Sequence, residues 1–187
     1  GDQTMSILKV DTINEKTSGN GVHIAGHIIQ IKTKNLTNPV SSTTFDTQVD
    51  FGLNLSITPK QTNSNWLIMG VLHSHHYTSA NDWPPHFTAF IGSNPAQPVG
   101  DSTSNNRPNV HVASMTPNSD AAPLNSHLQV LDTTTNLTAG TAYTFSIKAY
   151  AGRGSGTWYI NRGYLTWNDD ISGSNPISAM TVMEIAQ

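Results

Sequence analysis

An alternation of apolar and polar residues over residues 49–57 constrains the fold of this chain more than any other feature. A period of two places one set of side chains on each face of a β-strand, so that one face is apolar and the other polar. Pro59 ends the pattern, because proline has no N–H to donate to a sheet. The pattern predicts a strand with one buried face. Its apolar positions are Val49, Phe51, Leu53, Leu55 and Ile57.

A polar turn over residues 60–65 separates this strand from an apolar run, Trp66 to Leu72, that hardly alternates. Such a run is typical of a strand that is covered on both faces. A half-buried strand followed by a doubly buried strand favours two sheets that pack face to face. We therefore expect a β-sandwich.

The composition excludes several classes of partner. Charged residues make up 11% of the chain, and the formal net charge of −3 leaves no basic surface for nucleic acid. The chain has no cysteine, which excludes disulfides and thiolate metal sites. It has no apolar run of the ~18 residues that a membrane span needs and no visible signal peptide. We expect no cofactor, no nucleic acid and no membrane insertion.

Short segments rich in apolar and β-branched residues predict further strands, and no segment has a helical period with caps. We expect an all-β fold, an antiparallel β-sandwich of jelly-roll type with about eight strands in the main domain. Residues 34–44 and 92–108 are polar or rich in proline and are expected to form loops. The further strands are predicted at residues 27–32, 86–91, 110–115, 127–131, 143–149, 158–161 and 177–185.

The N-terminal part is expected to form a unit of its own. Residues 1–4 precede Met5, and we interpret them as a cloning remnant. Residues 5–33 are predicted to be a short β segment for oligomerisation, with strands expected at residues 6–13, 22–24 and 27–32, and residues 34–187 to be the main domain. Two or three short strands are not stable alone. The segment therefore either caps the sandwich or intertwines with other copies, and the sequence leaves both alternatives open.

Five blocks follow one another along the chain: MSILKVDTINEKTSGNGVHI, GHIIQI, FDTQVDFGLNLSITPKQTNSNWLIMGV, AGTAYTFSIKAYAGRGSGTWYINR and ISAMTVMEIAQ. In this order they resemble small fibre-like virion proteins of tailed phages, especially marine ones. The resemblance implies a jelly-roll domain that forms a homotrimer at the virion surface with other virion proteins, as a tail fibre, head fibre, knob or capsid decoration. It implies that residues 5–33 serve in oligomerisation or virion attachment, and it implies no catalytic residues. Because the chain has no long shaft, a short fibre tip or a decoration protein is favoured over a full-length tail fibre.

Aromatic residues in predicted loops are the main candidates for binding. Rings on loops of a rigid scaffold offer a large contact area at low entropic cost. We expect them to contact a host-surface glycan, and the alternative is that they pack under their own loops or between subunits. The candidate residues are Tyr77, Trp83, His86, Tyr164 and Trp167.

The residues for other chemistry are weaker candidates. His73 and His75 point to the same side of a strand, and near a threefold axis they can offer imidazoles to a transition metal. No acidic partner lies beside them in the sequence, so we expect no metal, and these two ligands if there is one. The motif G-R-G-S-G lies between two predicted strands and is not a nucleophile elbow. Asp169 and Asp170 are sequence neighbours, which does not place two carboxylates across a groove. We expect no enzymatic activity.

Two alternative functions stay open at this point. One is a decoration or cement protein that stabilises the capsid without binding a host. The other belongs to a different class, a secreted carbohydrate-binding module or a glycan-degrading enzyme. The absence of a visible signal peptide and of a convergent catalytic motif argues against the second alternative.

Overall fold

A computed structural model describes residues 24–77, 85–100, 109–113, 124–152, 156–162 and 176–187, without the side chains of residues 75–77. This part of the chain consists of antiparallel strands without a helix, which confirms the all-β fold class and is consistent with a β-sandwich. The strands are β1 (Ile28–Leu36), β2 (Val40–Ser42), β3 (Gln48–Ile57), β4 (Asn65–Tyr77), β5 (His86–Ile91), β6 (Asn94–Pro95), β7 (Leu124–Asp132), β8 (Tyr143–Tyr150), β9 (Thr157–Ile160) and β10 (Ser178–Ile185).

The strands form two sheets. The six-stranded sheet has the order β1-β10-β4-β9-β2, with β7 also paired to β4, and the four-stranded sheet has the order β3-β8-β5-β6. Along β4, residues 65–71 pair with β10 and residues 74–77 pair with β9, whereas residues 66–74 pair with β7. Therefore β10 and β9 follow each other along one edge of β4, and β7 occupies the opposite edge.

The core is formed by alternate residues of the strands, and contacts between the sheets close it. Trp66 of β4 packs on Phe145 of β8 with ring centroids 4.9 Å apart. Gly70 of β4 leaves room for the side chain of Ile147, because a Cβ at residue 70 would lie 2.6 Å from Ile147 Cδ1. Each large apolar side chain that is fully buried stabilises the fold by about 1.5–3 kcal/mol.

The alternation that was predicted for β3 is confirmed. Phe51, Leu53 and Ile57 are buried, Val49 and Leu55 are half-buried and pack against the core, and the polar positions between them are exposed or half-buried. The ladder with β8 is interrupted by a bulge between Asp50 and Asn54, where Gly52 has a φ of +93°. Glycine suits this position because other residues rarely adopt positive φ.

The expectation that the apolar run of β4 is covered on both faces is wrong within the described part of the chain. Trp66 and Ile68 are buried, but Leu67 and Met69 are only half-buried and Val71 is 40% exposed. The run does not alternate because apolar residues also occupy its outward positions. This outward face of the six-stranded sheet is therefore unusually apolar.

The predicted loops are partly strands. Residues 34–44 include the end of β1 and all of β2, and residues 92–108 include β6. Thr, Ser and Asn fit an edge strand because the sheet uses their backbone groups, which do not depend on side-chain polarity. The strand expected at residues 110–115 is reduced to one bridge, Val112 to Phe87, within residues 109–113. The other predicted strands within the described ranges are present, with ends that shift by a few residues.

The N-terminal segment is described only from Ile24 onward. Residues 28–36 form β1, which pairs with β10 and contains residues on both sides of the proposed boundary between residues 33 and 34. The strands expected at residues 6–13 and 22–24 lie outside the described residues, apart from Ile24. The role of the segment in oligomerisation or attachment stays a prediction.

Candidate binding surface

The ends of several strands meet at one end of the sandwich, around the last residues of β4. Tyr77, the last residue of β4, pairs with Thr157 at the start of β9. His86, the first residue of β5, pairs with Tyr150 at the end of β8. The chain thus leaves the six-stranded sheet at Tyr77 and enters the four-stranded sheet at His86. Both flanks of the segment that contains Trp83 are held by sheet pairing.

Only part of the predicted binding set lies in the described structure. Trp83, Tyr164 and Trp167 lie outside the described residues, and so does the side chain of Tyr77. His86 is half-buried at the start of β5, and burial lowers the pKa of His86 from its ordinary value of 6.5. Tyr77 and His86 therefore mark the base of the predicted surface, and the aromatic contacts themselves stay predictions.

The two predicted metal ligands differ in what the structure describes. His73 lies on the outward face of β4, and its Nδ1 lies 2.6 Å from Oδ1 of Asn125 on β7. His75 pairs with Tyr159 of β9, and its side chain lies outside the described part. Among the described residues, no group of three or more His, Asp or Glu side chains is arranged to hold a metal ion. A metal shared between copies of the chain stays a prediction.

Asn161 organises this region, although it was not among the residues predicted to be functional. It is fully buried, directly follows β9 and has a φ of +59°, a conformation that asparagine tolerates better than most residues. Its Nδ2 donates to the carbonyl oxygen of Leu36 at 2.5 Å, and its Oδ1 accepts from Ser178 Oγ at 2.6 Å. Ser178 Oγ in turn accepts from the backbone N–H of His73 at 3.0 Å. These bonds tie β1, β4, β9 and β10 together. An Asn directly after an apolar strand is the only signal in the sequence.

A cation–aromatic contact lies beside this junction. The guanidinium of Arg162 lies 4.9 Å from the ring centre of Tyr159, on the outward face of the six-stranded sheet. Residues 163–175, which contain the predicted Tyr164 and Trp167, follow Arg162 directly in the chain. Tyr77 pairs with Thr157 at the start of β9, and Ser74 pairs with Ile160 at the end of β9. The segment with Trp83 therefore follows one end of the antiparallel β4–β9 ladder, and the segment with Tyr164 and Trp167 follows its other end, about 10 Å away along β4.

The buried acids of the described part have structural partners. Asp132 is fully buried and accepts hydrogen bonds from the backbone N–H groups of Gln97, Thr134 and Thr135 at 2.8–2.9 Å. Burial by itself raises the pKa of Asp132, but these bonds and that of the Thr135 hydroxyl outweigh burial, so the pKa is lowered. The carboxylate fixes the turn after β7 to the segment after β6.

Glu184 on β10 has a similar role at the turn between β3 and β4. It is fully buried and accepts from the backbone N–H groups of Lys60 and Gln61, each at 3.0 Å, and from Ser64 Oγ at 2.8 Å. Gln30 Nε2 also donates to Oε2 of Glu184 at 2.5 Å, so four donor groups from β1 and from the turn hold this carboxylate in place. Asp132 and Glu184 therefore each stabilise a turn by accepting hydrogen bonds from its backbone N–H groups.

His111 is also engaged on both sides of its ring. Nδ1 accepts from the backbone N–H of Ala89 at 3.1 Å, and Nε2 donates to the carbonyl oxygen of Ala96 at 3.0 Å. This arrangement requires the neutral ring. Burial lowers the pKa of His111, and the bond to Ala96 works in the opposite direction.

No helix among the described residues is long and apolar enough to cross a membrane. Comparison with protein-family models and with curated proteins finds no match for this chain. We therefore base the proposed function on the sequence pattern and on the arrangement of the strands.

Proposed function

We propose that this chain is a non-enzymatic virion surface protein of a tailed phage, a homotrimeric tail-fibre-like or head-fibre protein whose jelly-roll domain attaches to host-surface glycans. The observation that carries the proposal is that the two segments with predicted aromatic residues are anchored to the same short ladder of β4 and β9. The segment with Trp83 follows Tyr77 at one end of this ladder, and the segment with Tyr164 and Trp167 follows Ile160 and Arg162 at its other end. A rigid ladder that anchors two aromatic segments is a suitable base for recognition.

The order of the strands supports a jelly roll. Four strands of one sheet lie in the order β1-β10-β4-β7, and three strands of the other lie in the order β3-β8-β5. Val112 bridges Phe87 of β5, which is where a fourth strand of the second sheet belongs. When the short strands β2, β6 and β9 are set aside, the successive strands β1, β3, β4, β5, β7, β8 and β10 alternate between the two sheets, which is compatible with the paired Greek keys of a jelly roll.

The proposed mechanism of attachment is multivalent. A single site made of a few aromatic rings binds a sugar weakly, because a shallow surface excludes little water. Three such sites on one rigid trimer raise the effective concentration of the second and third contacts into the millimolar range. Weak single contacts then add up to stable adsorption on a surface that repeats the same glycan.

The first test is the substitution Trp83→Ala. We expect binding to an array of bacterial surface polysaccharides to fall about tenfold or more, because a central aromatic contact typically contributes more than ~1.4 kcal/mol. Asn54→Ala, on the outward face of β3, is the matched control and should leave binding unchanged. Native mass spectrometry should give three times the chain mass of 20.2 kDa for both variants. Binding by Trp83→Ala at the level of the control would contradict the proposed surface.

A decoration protein is the second candidate, favoured by the apolar outward face of the six-stranded sheet, which suits contact with another protein. This alternative predicts binding to purified phage heads without binding to polysaccharide. A glycan-degrading enzyme predicts instead that soluble products are released from the polysaccharide. The same array, sampled for released sugar, separates these outcomes.

A further inference from the structure

The outward face of the six-stranded sheet carries an uncharged surface that is apolar along β4 and along one complete row, which we call the apolar face. The registers of β1, β10, β4 and β7 align its side chains in rows of four across the sheet. The row of largest side chains combines Ile31, which is 54% exposed, and Leu131, which is 46% exposed, with two half-buried residues between them. The three complete rows are Ile31, Met183, Leu67 and Leu131, then Thr33, Thr181, Met69 and Gln129, then Asn35, Ala179, Val71 and His127.

None of these twelve residues is Asp, Glu, Lys or Arg. Next to the first row, Ile28 and Ile185 extend the apolar face across β1 and β10. Exposed apolar patches of this kind mark contact sites, and interface centres are depleted of charged residues. We therefore expect another segment of the chain or another protein to cover the apolar face.

The size of the apolar face favours a small partner. Four strands about 4.8 Å apart, over eight residues of about 3.3 Å each, make a face of roughly 15 by 26 Å, about 400 Å². This is about half of the ~800 Å² that each partner contributes to a standard protein–protein interface. A single strand of about eight residues matches the length of the face, whereas a second copy of the sandwich would need a larger contact.

The described chain begins at the rim of the apolar face with a reversal of direction. His27 N–H donates to the carbonyl oxygen of Ile24 at 3.0 Å, and Gly26 has a φ of +80°. A positive φ at the third position is the mark of a type II turn. Gly26 N–H also donates to Ala186 at 2.8 Å, which fastens the turn to the end of β10. The described chain therefore begins beside the end of β10, at the rim of the apolar face.

The sequence before this turn contains a segment with the right pattern. In an extended chain over residues 6–13, one side is uncharged and consists of Ser6, Leu8, Val10 and Thr12. The other side has both charges at its centre and an isoleucine at each end, in the order Ile7, Lys9, Asp11 and Ile13. Such a strand has one uncharged side for the apolar face and one charged side for water. Residues 14–23 can span about 33 Å, which is enough to bring the segment back over the sheet.

We infer that residues 6–13 of the same chain pack on the apolar face and cover its central strands, β10 and β4. The tether of residues 14–23 raises the local concentration of the segment into the millimolar range, which favours the chain's own segment over a free partner. This inference does not depend on the proposed function. It assigns the N-terminal segment to capping its own sandwich and not to an exchange between subunits.

The test uses the absence of cysteine in the chain. Val10→Cys is combined with Val71→Cys, and with Met69→Cys in a second variant, and each full-length protein is treated with a short bis-maleimide. The reach of this reagent suits the ~10 Å spacing between packed β layers. Lys9→Cys with the same partners is the matched control, because residue 9 falls on the charged side of the segment. We expect intramolecular cross-linking at the mass of one chain, at least ~tenfold faster for Val10→Cys than for Lys9→Cys.

Two outcomes would overturn the inference. Cross-linked species at two or three chain masses would show that the segment covers a neighbouring copy. Equal rates for the two cysteine positions, together with rapid amide hydrogen exchange of residues 6–13, would show that the segment does not cover the face. Glycan binding by the uncross-linked protein is measured separately, so that failure of this inference and failure of the proposed function give different results.

Discussion

The outward faces of the two sheets differ, although both sheets contribute to the same core. On the four-stranded sheet, the outward residues of β3 include Asp50, Asn54 and Ser56, and Lys148 lies outward on β8. On the six-stranded sheet, the outward residues form the apolar face, in which Val71, Leu67 and Leu131 occupy outward positions. A polar outward face needs only water, whereas an apolar face gains free energy when something covers it. The outward face of the four-stranded sheet is thus a polar surface that water solvates, whereas the apolar face of the six-stranded sheet is suited to contact with another segment or protein.

The inner and outer positions of β4 give the largest predicted difference. Ile68→Ala should lower the free energy of unfolding by about 2–5 kcal/mol, because it leaves a cavity at a fully buried position. Val71→Ala, on the apolar face, should cost only about 1 kcal/mol, since the described strands leave 40% of this side chain exposed and the change removes only two carbon atoms. Urea unfolding of both variants measures the difference. Equal losses would mean that the two faces of β4 are equally covered.

Two carboxylates test the same contrast for polar groups. Glu184→Gln should destabilise the fold by about 2–3 kcal/mol, because the new amide NH₂ faces the N–H donors of Lys60 and Gln61. Asp50→Asn is the control on the polar face, where the carboxylate accepts from Gly52 N–H in water, and its loss should be much smaller. Urea unfolding of the two variants gives both values. A Glu184→Gln protein as stable as the control would show that the turn after β3 does not need the charge.

The smallest predicted effect is a dependence of stability on pH. Burial lowers the pKa of His111 and of His86 from 6.5, so the unfolded chain binds more protons between the lowered pKa values and 6.5. The stability from these neutral rings is fully present above pH 6.5 and is lost as the pH falls through the folded pKa values. The lowered pKa of Asp132 acts in the same direction at lower pH, below its ordinary value of 3.8.

Urea midpoints at pH 7.5 and pH 5.5 measure this dependence. We expect a lower midpoint at pH 5.5 and a reduced difference in His111→Gln, in which the ring that must stay neutral is absent. A midpoint that rises on acidification would contradict the assignment of His111 as a neutral ring held between Ala89 and Ala96.

The agreement between pattern and structure is best where one strand is half-buried. The alternation of β3 predicted the buried Phe51, Leu53 and Ile57, because burial on one face imposes a period of two. The side-chain pattern gave a wrong prediction for β4, where apolar residues on both faces of the strand suggested that both faces are buried. It also failed for β2 and the end of β1, since an edge strand is held by backbone pairing that leaves little trace in side-chain polarity.

Some residues of the candidate surface could be predicted from the sequence, and others could be found only in the structure. The residues with aromatic rings were visible in the sequence, and so was the expectation that they lie in connections between strands. Asn161, Asn125 and Arg162 could not be found in this way, because their roles depend on strands that are distant in sequence. Asn161 and Leu36 are 125 positions apart in the sequence. They meet because the end of β9 and the start of β10 follow each other along β4, and the end of β1 pairs with the start of β10.

By itself, the sequence determined that the chain is all-β, that it has a single-faced strand at residues 49–57 and that it has no disulfide. These properties follow from local periodicity and from the residues present. The tertiary structure decided which apolar residues face the core and which face outward, because that choice depends on the partner strands of β4 and on their register. It also decided the positions of the buried Glu184 and Asp132. A buried carboxylate is stable only where donors from distant segments converge on it.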